Sequence, residues 1–287
     1  MKKIIPPIHD DNIELVDLAK NKKLKSYPEL YNFALIIVNQ YKDYVAQSGN
    51  PWSITSCDIP QELKDALKLH YKTPPKGNLT FIKSFREELS PNFCPMCGSL
   101  GTGTLDHYLP KDSYAEFSIF SKNLIPACNC NTKRGTTLRG ATHPVRVIHP
   151  FYDNFLDTRL YQAYFDGSFE TPNISLVIID PNHPHIEILD FHLQEVILKN
   201  NVIHYFNSTW SNLQRLSSNT LQKLLPAGQL SFMEFYDAIR KFLYLKDAEL
   251  ESPNNWSSMF YAGLLNDHNR LERLRLEIND IRLLQGN

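Results

Sequence analysis

Four cysteines constrain this chain more than any other feature. Cys94-Pro95-Met96-Cys97-Gly98 sets two thiols three residues apart with a glycine behind the second, and Cys128-Asn129-Cys130 supplies two more further on. Thiols at this spacing on a tight turn point at one ion, and four of them make the closed tetrahedral set that structural Zn²⁺ takes. The plainer alternative is that only some of them bind metal, or that they are buried thiols. The fifth cysteine, Cys57, reads as an ordinary thiol. An odd count with two close pairs fits a metal site in a reducing cytoplasm rather than a disulfide framework. Residues 92–150 are rich in Cys, Gly, Asn, Pro and Thr and lack regular periodicity. Small modules in which an ion replaces part of the core look like this.

Between the pairs lies Thr104-Leu105-Asp106-His107-Tyr108-Leu109-Pro110-Lys111. Neighbouring strand residues face opposite sides, so one can hold a metal while the other addresses a water. Neutral imidazole is a good general base near pH 7. Taken alone, an Asp-His dipeptide is more often structural. Then come Asn123-Leu124-Ile125-Pro126 and Cys130-Asn131-Thr132-Lys133-Arg134-Gly135. Asn131 follows a cysteine at a helix start, and its side-chain oxygen is a hard ligand suited to Mg²⁺. Lys133 and Arg134 share that helix end, where a phosphate would approach. Lys111 and Lys122 flank the long loop and are phosphate candidates, although a solvated lysine is the default.

Together, Cys-x-x-Cys, Asp-His, Asn-Leu-x-Pro and Cys-Asn-x-x-[Lys/Arg]-Gly, in that order, resemble the HNH endonucleases in their His-Asn-Asn version. The resemblance covers Cys94 to Gly135. It implies a zinc-stapled ββα-metal module in which a β-hairpin and a helix surround one divalent ion. Carried over by position, His107 would deprotonate the attacking water, and Asp106 and Asn131 would hold Mg²⁺ or Mn²⁺. Asn123 would brace the loop and orient His107, and Cys94, Cys97, Cys128 and Cys130 would hold the zinc. Lys111, Lys133 and Arg134 would meet nucleic acid. The family usually has two residues between its last two cysteines; here there is only Asn129. Anchoring Cys130 beside Asn131 displaces Cys128 by one position, so its turn must differ. His143 and His149 are substitute ligands by position, though surface and packing roles suit them better. The resemblance extends to bacterial HNH proteins that act beside an ATPase in phage-defence systems such as Septu, which implies DNA as substrate and an ATPase or other protein as partner. The alternatives are a non-catalytic zinc-stapled binding module and an RNase or toxin of the same fold.

The net charge is −1, far from that of a protein that coats DNA. Residues 91–150 nevertheless carry six basic side chains against three acidic ones. No apolar leader follows Met1-Lys2-Lys3 and no run is long enough to span a membrane, so a cytoplasmic protein is expected. The expected fold class is α+β and helix-rich: a helical segment over 1–90, the module over 91–150, and a mostly helical segment over 151–287 with a few short strands. Helices are predicted from Pro28 to Gly49, from Pro60 to Tyr71, from Asn78 through Leu89, over Phe232 to Leu245 and over His268 to Leu284. Leu176 to Ile179 and Ile186 to Leu189 read as strands. The stripe of Leu271, Leu274, Ile278 and Ile281 reads as a core face.

Overall fold

Caps and breakers in the sequence set most of the element boundaries. A computed structural model describes all residues except 88–89, 216–224, 227 and 285–287. Helix α1 (Asp11–Lys20) starts where the Asp10 carboxylate accepts from the Ile13 N–H. Helix α2 (Glu29–Ala46) follows Pro28 and ends before Ser48 and Gly49, both of positive φ. Helix α3 (Gln61–Lys72) follows Pro60. Helix α4 (Phe81–Glu87) is shorter than the predicted run, whose Leu89 lies outside the described residues.

Strands β1 (Thr104–His107) and β2 (Leu124–Ala127) pair antiparallel, with His107 opposite Leu124, and helix α5 (Cys130–Arg134) follows. Strands β3 (Tyr161–Asp166) and β4 (Asn173–Ile178) form a second antiparallel pair. Helix α6 (Ile186–His192) runs on into a π-helical turn, Leu193–Ile197. Helices α7 (Val202–Arg215), α8 (Phe232–Glu249), α9 (Trp256–Asn266) and α10 (His268–Leu284) follow among the described residues. A capping box between Ser231 and Glu234 starts α8. The fold is thus α+β and helix-rich. No helix among the described residues is long and apolar enough to cross a membrane.

One predicted strand is corrected. Ile186 to Leu189 is helical, because Ile188, Leu189 and Leu193 bury a helical face against the core. The true partner of β4 is β3, where Tyr161, Ala163 and Phe165 are buried while Tyr164 and Asp166 are exposed. The stripe on α10 does face the core: Leu271, Leu274 and Ile278 are buried, and Ile281 packs against them.

Two apolar clusters result. The first joins α1 to α4 to β1, β2 and their loop, through Leu30, Ile37, Tyr44, Leu67, Leu105 and Phe117. The second is built from β3, β4 and α6 to α10, around Phe206, Phe260 and Leu271. The first cluster draws on residues on both sides of position 90, and the second on residues from 148 onward together with Met1. Gly263 of α9 is packed so closely on β3 that a Cβ there would lie 2.0 Å from the Ala163 carbonyl oxygen.

The two clusters are clasped at the first cysteine turn. His192 Nε2 donates to the Met96 carbonyl at 2.6 Å, and its Nδ1 accepts from the Ile148 N–H at 3.2 Å. Trp256 donates from its ring to the Cys97 carbonyl at 2.7 Å and from its backbone to Gly98 at 3.0 Å. Burial lowers the His192 pKa to about 3 from its ordinary 6.5, so the folded chain keeps it neutral. Below pH 6.5 the unfolded chain gains a proton that the folded chain refuses, so the His192 contribution to stability is lost as pH falls from 6.5 towards 3. His192→Leu should strand two buried backbone groups and lower unfolding free energy by about 2–6 kcal/mol, at about 1–3 kcal/mol each, in urea melts at pH 7. The same variant should lose less stability than wild type between pH 6.5 and pH 4.

Candidate functional site

The sulfurs of Cys94, Cys97, Cys128 and Cys130 all lie within 4.8 Å of one another. Cys94 is 3.6 Å from Cys130 and Cys97 is 3.5 Å from Cys128. A tetrahedral Zn²⁺ with bonds of about 2.3 Å would separate its sulfurs by about 3.8 Å, so the cluster is close to the size that zinc needs. The short Cys-x-Cys spacing does not exclude Cys128. It sits just ahead of α5, where the Cys130 N–H donates to its sulfur at 3.3 Å, while its own N–H donates to Cys94 Sγ at 3.4 Å. Asn200 Nδ2 donates to Cys97 Sγ at 3.3 Å and to Cys128 Sγ at 3.5 Å. Donors aimed at sulfur favour the thiolate, which is the metal-binding form. Hydrogen bonding from Cys130, then from Cys94 and Cys97, pulls the Cys128 thiol far below its ordinary value.

Gly98 closes the first turn with φ 80°, and a Cβ there would meet the Asn254 carbonyl at 2.2 Å, so only glycine fits. The substitute histidines lie apart from this cluster. His149 is buried, with Nε2 2.9 Å from the Tyr44 hydroxyl and Nδ1 accepting from the Phe151 N–H. His143 is exposed, its ring 6.0 Å from that of Trp52. Cys57 is also outside the cluster, its thiol pushed up to about 11 by burial.

A cleft of about 310 Å³ is lined by Asp106, His107, Lys111, Asp112, Asn131 and Arg134 among others. His107 ends β1 and is 3 % exposed. Its Nε2 lies 2.9 Å from the Ser118 carbonyl, which can only accept, so Nε2 carries the hydrogen and Nδ1 keeps a lone pair. That Nδ1 is buried and has no hydrogen-bond partner. Burial pulls the imidazole down to about 4, so it is neutral at pH 7. The Asp106 carboxylate accepts from the His107 N–H at 2.8 Å and lies 3.9 Å from Nδ1. Asn131 Nδ2 reaches the His107 carbonyl at 3.4 Å, and its Oδ1 is a second buried atom with no partner. A carboxylate and two unclaimed lone-pair atoms thus belong to residues that share one cleft.

Asn123 does not line the cleft. It is fully buried, accepting from the Leu109 N–H at 2.8 Å and donating to the Leu109 and Phe117 carbonyls at 3.1 and 3.2 Å. It ties both ends of the loop that presents the Ser118 carbonyl to His107.

Two of the nucleic-acid candidates are engaged with the protein itself. Arg134 is buried, and its guanidinium donates to the carbonyls of His107, Tyr108 and Thr137 at 3.0, 3.1 and 3.0 Å. The end of β1 needs those donors, so this arginine clamps the main chain from the wall of the cleft. Lys133 is exposed, but its Nζ lies 3.1 Å from Asn200 Oδ1 and it is not among the cleft residues. Lys111 does line the cleft.

Several contributors to the site carry no motif. Tyr71 of α3 sets its ring 4.3 Å from that of His107, edge to face, and its hydroxyl donates to the Leu105 carbonyl. Ser118 and Asn200 contribute a carbonyl and an amide that no motif marks.

One zinc per chain is expected by elemental analysis, and Cys128→Ser should remove it. Cys57→Ser should leave the zinc content unchanged. Chelation should lower the melting temperature, since structural metal binding is folding free energy.

No family model and no solved structure matches the chain. It is 28% identical over 201 residues to Protein ea31 of Escherichia phage lambda. The alignment covers 60% of this chain and 61% of that protein, so the chain spans less than two thirds of the relative it matches.

Proposed function

We propose that the chain is a metal-dependent HNH-type endonuclease that hydrolyses phosphodiester bonds in DNA. The observation that carries this reading is the pairing of two unclaimed buried atoms, His107 Nδ1 and Asn131 Oδ1, beside the Asp106 carboxylate on one cleft. Leaving such atoms without partners costs folding free energy, so a ligand is the economical reason for them.

The oxygens of Asp106 and Asn131 form a hard donor set that fits Mg²⁺ or Mn²⁺. When bound there, the ion supplies charge neutralisation for a phosphate and its leaving oxygen. The protein does the rest. His107 Nδ1, neutral and unpartnered, takes the proton from the attacking water, which is general-base chemistry worth about 10²–10⁴ in rate. The Ser118 carbonyl fixes the tautomer that leaves Nδ1 free. Asn123 holds the loop that carries this carbonyl, and Arg134 holds the end of β1 by its main chain. The sulfur cluster keeps α5, and with it Asn131, against β1. The low net charge fits a nuclease that a protein partner, such as an ATPase in a phage-defence assembly, brings to DNA.

Plasmid cleavage with Mg²⁺ or Mn²⁺ tests the reading. His107→Ala should lower the rate by about 10²–10⁴ while zinc content stays near wild type. Asn131→Ala should also lower it and should raise the Mg²⁺ concentration needed for half-maximal rate. Cleavage of RNA but not DNA would favour the ribonuclease reading. Equal rates in wild type and His107→Ala would remove His107 from the mechanism.

A further inference from the structure

From Ala66 to Arg86 the chain carries five basic residues, Lys68, Lys72, Lys76, Lys83 and Arg86, and no acidic one. In a chain of net charge −1 this is the strongest local excess beside the candidate site. The segment also packs on that site. Helix α4 lies against β1, and α3 lies against the turn Ala115–Phe117, next to the carbonyl that His107 uses. Tyr71, in the middle of the basic run, meets His107 ring to ring. Lys68 reaches across to Asp112 of the cleft rim at 3.1 Å, and Lys111 stands over the Tyr71 ring, 6.0 Å from its centre.

The positive charge is available. Lys72 and Lys76 are exposed and form no ion pair with a described residue. Lys68 pairs only with the largely exposed Asp112, and Lys83 only loosely with Glu87 at 3.8 Å. Exposed pairs of this kind contribute little and exchange readily for a phosphate. Lys68 and Lys72 stand one turn apart, about 6 Å along the axis, so they can address separate phosphates of one strand. From Lys68 to Arg86 the charged side chains are all cationic, with Tyr71 among them, the composition that binds a phosphate backbone without reading base sequence.

We infer that the α3–α4 wall is the rail on which the backbone of duplex DNA lies, placing one phosphate beside Tyr71 and His107. This deepens the nuclease reading and rests on it for the identity of the polyanion. Phosphate contacts of this type act by counterion release, so their number is read from the salt dependence of binding.

The experiment measures binding of a fluorescent DNA duplex to zinc-loaded His107→Ala protein by anisotropy across a KCl series, without cleavage. Adding Lys68→Gln, Lys72→Gln and Lys76→Gln should weaken binding about tenfold at 0.1 M KCl and reduce the slope of log K against log salt by about 2–3. A second variant, Lys72→Glu with Lys76→Glu, changes only exposed side chains and should weaken binding at least as much, with zinc content unchanged. A matched pair on α8, Arg240→Gln with Lys241→Gln, should bind as the parent does. Parent-like affinity and slope in both rail variants would overturn the rail. So would the absence of any nucleic-acid binding by the parent, which would point to an acidic protein partner instead. Salt-dependent binding that the rail variants lose, in a protein that cleaves nothing, would support the rail and refute the nuclease.

Discussion

The ββα unit is too small to hold itself. Its strands are four residues long, its helix five, and a two-stranded ribbon of that size is at best marginal in water. Everything at the candidate site therefore depends on external clamps. The sulfur cluster holds one end of the unit, where Cys94 and Cys97 meet Cys128 and Cys130. The side chains of α1 to α4 cover the other, and share one core with Leu105, Phe117 and Leu124. Between the clamps, buried polar side chains fix the main chain. Asn123 ties Leu109 to Phe117, Arg134 binds the carbonyls of His107 and Tyr108, and Tyr71 takes that of Leu105.

The same logic explains why the second half of the chain matters to a site it does not line. Its core is separate, but His192, Asn200 and Trp256 all reach back to the first cysteine turn. Each satisfies a backbone carbonyl or a sulfur that the tight turn leaves unpaired. Gly98 permits this approach, because any side chain there would strike the Asn254 carbonyl. The cluster is thus a joint between two cores as well as a staple within the module.

Polar satisfaction also separates the two kinds of residue around the cleft. Asn123 and Arg134 direct hydrogen bonds to the main chain and act by holding shape. His107 and Asn131 each keep one buried atom uncommitted, beside the Asp106 carboxylate. Four other buried atoms among the described residues also lack a partner, but only these two offer a lone pair on a residue that lines the cleft.

Sequence spacing was enough to name Cys94, Cys97, Cys128 and Cys130 as a set, because ligand geometry is local to two short turns. It was enough for α2, α3, α8 and α10, whose caps and apolar periods are strong. It marked Asp106, His107, Asn123 and Asn131 as special, since order and spacing carry that resemblance. Tertiary structure decided the rest. It turned Ile186–Leu189 into helix, because a short apolar run takes the period of the surface that buries it. It gave Cys128 the turn that spacing left open, with the Cys130 N–H donating to its sulfur. It sent Arg134 inward to unpaired carbonyls and Lys133 outward to Asn200, although the two are adjacent in sequence. And it laid Tyr71 against His107 from 36 residues away. Spacing along a chain encodes what one turn can reach, whereas which groups are left without partners is fixed only when the whole chain has packed.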